Sequence, residues 1–187
     1  MRKSFGVKPM IYPEPVLIIG TYDKNGIPNA MNAAWGGISE EDEISICVSP
    51  EHKTTENILA KGEFTVSIGT EDQSAECDFV GVVSANDMPD KLARTGWHAQ
   101  RSDVIDAPIF AELPMALECK LRSYDSDSCR LVGEIVNVSA DERVLTNGKI
   151  DPKKLKPLIY DSANHAYYGI GERVGSAFKD GLALKSK

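Results

Sequence analysis

A chain of 187 residues, 42% hydrophobic and 26% charged, has the make-up of a folded globular protein and excludes the disordered and fibrous classes. Its formal net charge of −7, with no run of Lys or Arg, argues against nucleic-acid or anionic-membrane partners. The longest apolar run, Val16-Leu17-Ile18-Ile19, is far short of the ~20 residues that a membrane helix needs, and prolines interrupt any signal-peptide core near the N-terminus. Cys47, Cys77, Cys119 and Cys129 show neither C-x-x-C nor zinc spacing, so the expectation is one soluble, cytoplasmic domain over 1–187, with reduced thiols and no metal.

In chain order, the apolar, β-branched run from Glu14 to Tyr22 reads as a buried strand. Asn25-Gly26 supplies a tight turn, and a second strand runs from Pro28 toward Trp35. Glu43 to Ser49 alternates with period two and stops at Pro50. Thr54 to Lys61 reads as a helix capped by Thr54 and stopped by Gly62, with Ile58 and Leu59 facing inward. A strand resumes at Phe64 to Gly69.

Residues 71–112 change texture. Ser74 to Val80 and Asp90 to Thr95 predict short helices within a surface excursion that also carries Pro89, Gly96 and Pro108. Pro114 to Tyr124 and Cys129 to Ala140 predict a long hairpin about Asp125-Ser126-Asp127-Ser128. The tail holds Leu158-Ile159-Tyr160, Tyr167-Tyr168 and a helix candidate at Gly175 to Gly181, with 158–187 packing on the barrel or across a dimer. Many hairpin-joined strands with interspersed helices predict a mainly β fold with peripheral helices, an antiparallel, Greek-key-like barrel rather than a parallel sheet. Gly169-Ile170-Gly171 lies too late and lacks the third glycine of a dinucleotide fingerprint.

Three constellations can carry chemistry. Ser49 to Ile58 combines a strand end, a turn and a helix start, where Ser49, His52, Lys53, Thr54 and Thr55 can add donors to free backbone N–H groups around a phosphate. Glu51 and Glu56 oppose that reading unless they point away, and a solvated helix start is the plain alternative. In Pro28 to Gly37, the small residues Ala30, Ala33 and Ala34 let a flat ligand approach the backbone. There Asn29 and Asn32 offer edge hydrogen bonds, and Met31 or Trp35 an apolar wall, or else the segment is simply tightly packed strand. His165, Tyr167 and Tyr168 can cover a ligand's edge or merely pack. Without G-x-S-x-G or H-E-x-x-H, hydrolysis ranks low.

Together these segments resemble the flavoredoxin and flavin-reductase-like family of FMN-binding split-barrel proteins, over roughly Tyr12 to Gly181. The resemblance rests on Pro13-x-Pro15 before an apolar strand, Thr21 to Gly26, Pro28-Asn29, Trp35, His52 to Ile58, Gly62-Glu63-Phe64 and Tyr167 to Glu172. It implies an FMN-binding split β-barrel and a homodimer with FMN near the interface. It further implies that Asn29, Ala30, Met31, Asn32 and Ala33, with Cys47, Val48 and Ser49, line the flavin, and that His52, Lys53 and Thr54 hold its phosphate. His165 to Tyr168 then reach across the interface. The implied activity is a flavin reductase or oxidoreductase with NAD(P)H as co-substrate, no side chain being strictly catalytic. The alternative is an electron-transfer flavoprotein served by a protein partner.

Overall fold

The computed structural model describes residues 1–186. Short β1 (Glu14–Pro15) leads into β2 (Leu17–Tyr22), fully buried on both faces, and then β3 (Pro28–Ala33). The turn between them is held by Asp23, whose carboxylate accepts from the N–H groups of Asn25 and Ile27, while Gly26 takes φ +80°. The chain turns at Ala34–Trp35 into β4 (Gly36–Glu40) and β5 (Glu43–Cys47). Helix α1 (Lys53–Lys61) follows, stopped by Gly62 at φ +72°, and then β6 (Glu63–Ile68).

The excursion carries α2 (Ser74–Val82), α3 (Lys91–Thr95), β7 (Ala99–Arg101) and β8 (Pro108–Phe110). The long hairpin is β9 (Met115–Asp125) with β10 (Arg130–Ala140), its turn tied by the Asp125 carboxylate to Asp127 N–H and Ser128 O–H. Small pieces complete the chain: β11 (Leu145–Thr146), β12 (Lys149–Ile150), α4 (Pro152–Leu155), β13 (Ile159–Asp161) and β14 (Ala166–Tyr168).

Seven strands form one antiparallel sheet in the order β3-β2-β6-β9-β10-β5-β4. The sheet curls around a core of Leu17, Ile19, Met31, Ile44, Ile46, Phe64, Val66 and Leu131, to which α1 adds Ile58. Its two ends, β3 and β4, do not pair with each other, which makes it a split barrel. The outer face of β2 and β3 packs a second core, in which Val16, Ile18 and Ala30 meet Cys77, Val80, Trp97, Phe110 and Leu158. β2 is buried on both sides because it lies between these cores.

Several expectations need correction. Leu59 faces solvent, because Thr54 and Asn57 hydrogen-bond Asn29 and Thr21 across the sheet and so fix the rotation of α1. Thr54 is inside the helix and does not cap it; His52 occupies that position without a side-chain cap. Trp35 is exposed, since it sits at the turn between β3 and β4 beyond the reach of either core. Instead of a helix at 175–181, a 3₁₀ helix spans Asp180–Ser186, with Gly175 against the Asp180 carboxylate that accepts from Ser176 N–H.

Phe64 is fully buried, and its ring lies where Gly133 leaves room by having no side chain. Phe64→Ala is expected to cost ~3–5 kcal/mol of stability. Urea unfolding should show a lower midpoint at an unchanged slope.

Candidate functional site

Among the described residues β3 has a paired neighbour, β2, on one side only. An edge strand leaves backbone donors and acceptors open to a ligand. Its alternate side chains divide between the barrel core, which takes Met31 and Ala33, and the outer core, which takes Ala30. Asn29 reaches α1, where its amide donates to Thr54 Oγ1 at 2.8 Å. Asn32 reaches α2 and donates to the Cys77 carbonyl at 3.0 Å. One asparagine therefore anchors each covering helix.

Between these helices runs a groove made of three adjoining pockets. The central one is lined by Asn29, Met31, Asn32, His52, Lys53, Thr54 and Lys91, together with the end of α2 and the following loop, Val80 to Ala85. Asn29, Lys53 and Ala85 continue into a small pocket near Pro28 and Pro89. In the other direction Asn32, Gly81 and Val82 continue into a wider pocket with Val16, Ala34, Asp78, Tyr160, His165 and Tyr167. Gly81 is what lets α2 lie close to β3, for a Cβ there would come within 3.0 Å of the Asn32 Cβ.

The central pocket is rich in donors. α1 begins there without a side-chain cap, so its first N–H groups and partial positive charge are available. Lys53 also pairs with Glu56 at 2.7 Å. Glu51 is turned onto the Ser49 hydroxyl, away from the cleft. Asn29 is 5% exposed, and its Oδ1 is buried with no partner among the described residues. A buried amide oxygen left open costs ~1–3 kcal/mol unless a ligand or water serves it. The donors suit a phosphate monoester, and Asn29 Oδ1 suits a hydroxyl of the same molecule.

Lys91 was not foreseen from the sequence. It is 3% exposed, donates to the carbonyls of Val80 at 3.1 Å and Val83 at 2.8 Å, and so ties down the end of α2. Burial lowers its pKa to about 8. In sequence it looks like any surface lysine at a helix start; the nearest signal was the change of texture at 71–112.

At the far end, the β13–β14 hairpin is set by Asp161, whose carboxylate accepts from Ala163 N–H, Asn164 N–H and the Tyr12 hydroxyl. His165, at φ +52°, turns back to Tyr160, with Nδ1 3.2 Å from the hydroxyl. Tyr167 donates to Asp78 at 2.9 Å; burial and that carboxylate raise its pKa above the usual phenol range. Gly169 follows because a Cβ there would overlap the Glu71 carboxylate.

The structure thus brings Asn29, Met31, Asn32, His52, Lys53, Thr54, His165 and Tyr167 onto one groove. It does not bring the other candidates there. Ala30 and Ala33 turn into the two cores, and Val48 is buried where Tyr124 O–H donates to its carbonyl at 3.0 Å. Trp35, Cys47 and Tyr168 are exposed, and Ser49 bonds Glu51.

A curled antiparallel sheet whose free edge strand opens into a donor-rich groove defines a ligand-binding split barrel. The chain belongs to the flavin reductase like family, whose domain matches residues 10–170. It is similar to the flavoredoxin of Desulfovibrio vulgaris (Miyazaki F), at 34% identity and TM-score 0.92 over 97% of this chain and 100% of that one. Flavoredoxin from Methanosarcina acetivorans is 26% identical, with TM-score 0.87 over 98% and 100% of the two chains. A relative from Escherichia coli (strain K12), the uncharacterized protein YddH, is 30% identical over 86% of this chain and 88% of its own. Among the described residues no helix is long and apolar enough to cross a membrane.

Because the pKa of Lys91 is lower in the fold than in the unfolded chain, the fold binds fewer protons between about pH 8 and 10.5. Its contribution to stability therefore rises with pH across that window. Cys77 and Cys119, pushed up to about 12 by burial, act oppositely above pH 9, so the measurement is a comparison with Lys91→Met. Between pH 8 and 9.5, wild type should gain on the order of 1–2 kcal/mol relative to the variant in urea unfolding. Parallel pH profiles would contradict this assignment.

Proposed function

We propose that this chain binds one FMN in the groove and uses it as a flavin-dependent oxidoreductase that takes electrons from NAD(P)H. The observation that carries the reading is the buried, unpartnered Oδ1 of Asn29 beside the uncapped start of α1, in a cleft shared with Lys53 and Lys91. Membership of the flavin reductase like family and similarity to two flavoredoxins support it.

In this reading the phosphate lies at the start of α1, where His52, Lys53, Thr54 and backbone N–H groups donate to it. Asn29 Oδ1 accepts from a ribityl hydroxyl. Met31 would offer the isoalloxazine ring an apolar neighbour in the same pocket, and Gly81 would hold α2 close beside the free edge of β3. The chemistry that FMN supplies when bound is acceptance of a hydride and release of electrons singly or in pairs. The chain's own part is to bind, orient and shield. Tyr160 and His165, in hydrogen-bond contact, can hold a proton at the groove's mouth. We further propose a homodimer, in which the surface residues Trp35, Cys47 and Tyr168 meet the second copy.

The purified protein is expected to be yellow, or to turn yellow with added FMN, at about one FMN per chain; a protein that stays colourless with FMN defeats the proposal. Lys53→Ala should weaken FMN binding about tenfold, roughly 1.4 kcal/mol. Its stability should change by less than ~1 kcal/mol, since the lost pair with Glu56 lies at the surface. Gly81→Val should weaken FMN binding at least as much by driving a side chain into Asn32. Stopped-flow mixing with NADH and NADPH tests the donor. Bleaching only by a reduced protein would reassign the chain to electron transfer from a partner.

A further inference from the structure

The groove is electrically polarised. Lys53, Lys91 and the start of α1 lie along its central pocket with His52, whereas the pocket beyond Gly81 has the Asp78 carboxylate, the His165 ring and, among the described residues, no Lys or Arg in its lining. That pocket, about 370 Å³, is within the size range of small-molecule sites. Its wall is aromatic: the rings of Tyr160 and Tyr167 stand 5.8 Å apart at a tilt of 47°. Asp78 is held in place by Tyr167 O–H on Oδ1, and its Oδ2 has no partner among the described residues.

We infer that this pocket is a second-ligand site for uncharged or positively charged planar rings, and that Asp78 is the residue that sets its selectivity. The inference rests on the reading that a flavin phosphate occupies the cationic end, since that leaves the Asp78 pocket free beside the ring. Aromatic faces attract cations and stack on planar rings. A carboxylate with an open oxygen accepts an N–H or pairs with positive charge. An anionic ring would face Asp78 with no Lys or Arg to answer it, the His165 ring being engaged at Nδ1 by the Tyr160 hydroxyl, and the same repulsion keeps the phosphate at the other end. Asp78 is exposed, so the effect is partly screened by solvent and weakens with salt.

The test uses three rings of one shape and three charges: benzamidinium, benzamide and benzoate. Each is titrated by calorimetry into the FMN-saturated protein at low ionic strength, alongside the change in the bound flavin's visible spectrum. Benzamidinium is expected to bind at least about tenfold more tightly than benzoate, with benzamide between them. Asp78→Asn should shrink that ratio to within about threefold, while Tyr167→Phe, which keeps the carboxylate, should retain most of it. Equal binding of the cation and the anion by wild type, or an unchanged ratio in Asp78→Asn, overturns the inference. So does displacement of benzamidinium by FMN, which would make the pocket part of the flavin's own site. FMN affinity is measured separately. Discrimination by a protein that binds no FMN would remove the flavin reading and leave the charge selectivity standing, whereas tight FMN with no discrimination would do the reverse.

Discussion

Strand β3 pairs with β2 on one side and, among the described residues, with no strand on the other, because the seven-stranded sheet curls without closing. An exposed edge of this kind invites pairing with whatever approaches it. Here the approach is controlled by two helices, one from each face of the sheet. Asn29 fastens the edge to α1 and Asn32 fastens it to α2, so the two cover its sides and leave a slot between. The groove, its donors and its aromatic mouth all follow from that open edge.

Keeping the slot open has its own requirements. Gly81 allows α2 to come within van der Waals reach of β3, and Lys91 clamps the end of the same helix by serving two of its last carbonyls. Burying an ammonium to do so is costly, which is why its pKa falls to about 8. The consequence is a concentration of positive charge along one stretch of the groove in a protein whose net charge is −7. Bulk charge sets long-range attraction, while a ligand in the groove meets the local field.

The hairpin carrying His165 and Tyr167 pairs with β1 rather than with the seven-stranded sheet, and an aspartate gathers its turn's N–H groups and the Tyr12 hydroxyl. It meets the rest of the groove through the bond from Tyr167 to Asp78 on α2 and through Tyr160 and Tyr167 packed on the outer core. The wide pocket is therefore assembled from chain segments about 90 residues apart in sequence, joined by this hydrogen bond and by the packing of Tyr160 and Tyr167 on the outer core.

Local features of the sequence were enough for much of this. Period-two alternation in Glu43 to Ser49, the apolar run at 16–19, the Asn25-Gly26 turn and Gly62 after α1 each express a preference of a few consecutive residues, and each appears in the structure, the first as a strand that ends at Cys47. The same holds for the cluster His52-Lys53-Thr54, whose donors were legible because neighbours in sequence share one helix start. What the tertiary structure decided depends on partners far along the chain. Leu59 looked inward until the buried bonds from Asn29 to Thr54 and from Asn57 to Thr21 fixed the helix rotation. Trp35 looked like a wall until the chain turned at that point, and Lys91 and Asp78 looked like surface charges until α2 was laid against β3. Periodicity records which face of an element is apolar, but which polar side chain ends up buried, and against what, is set only when the elements pack.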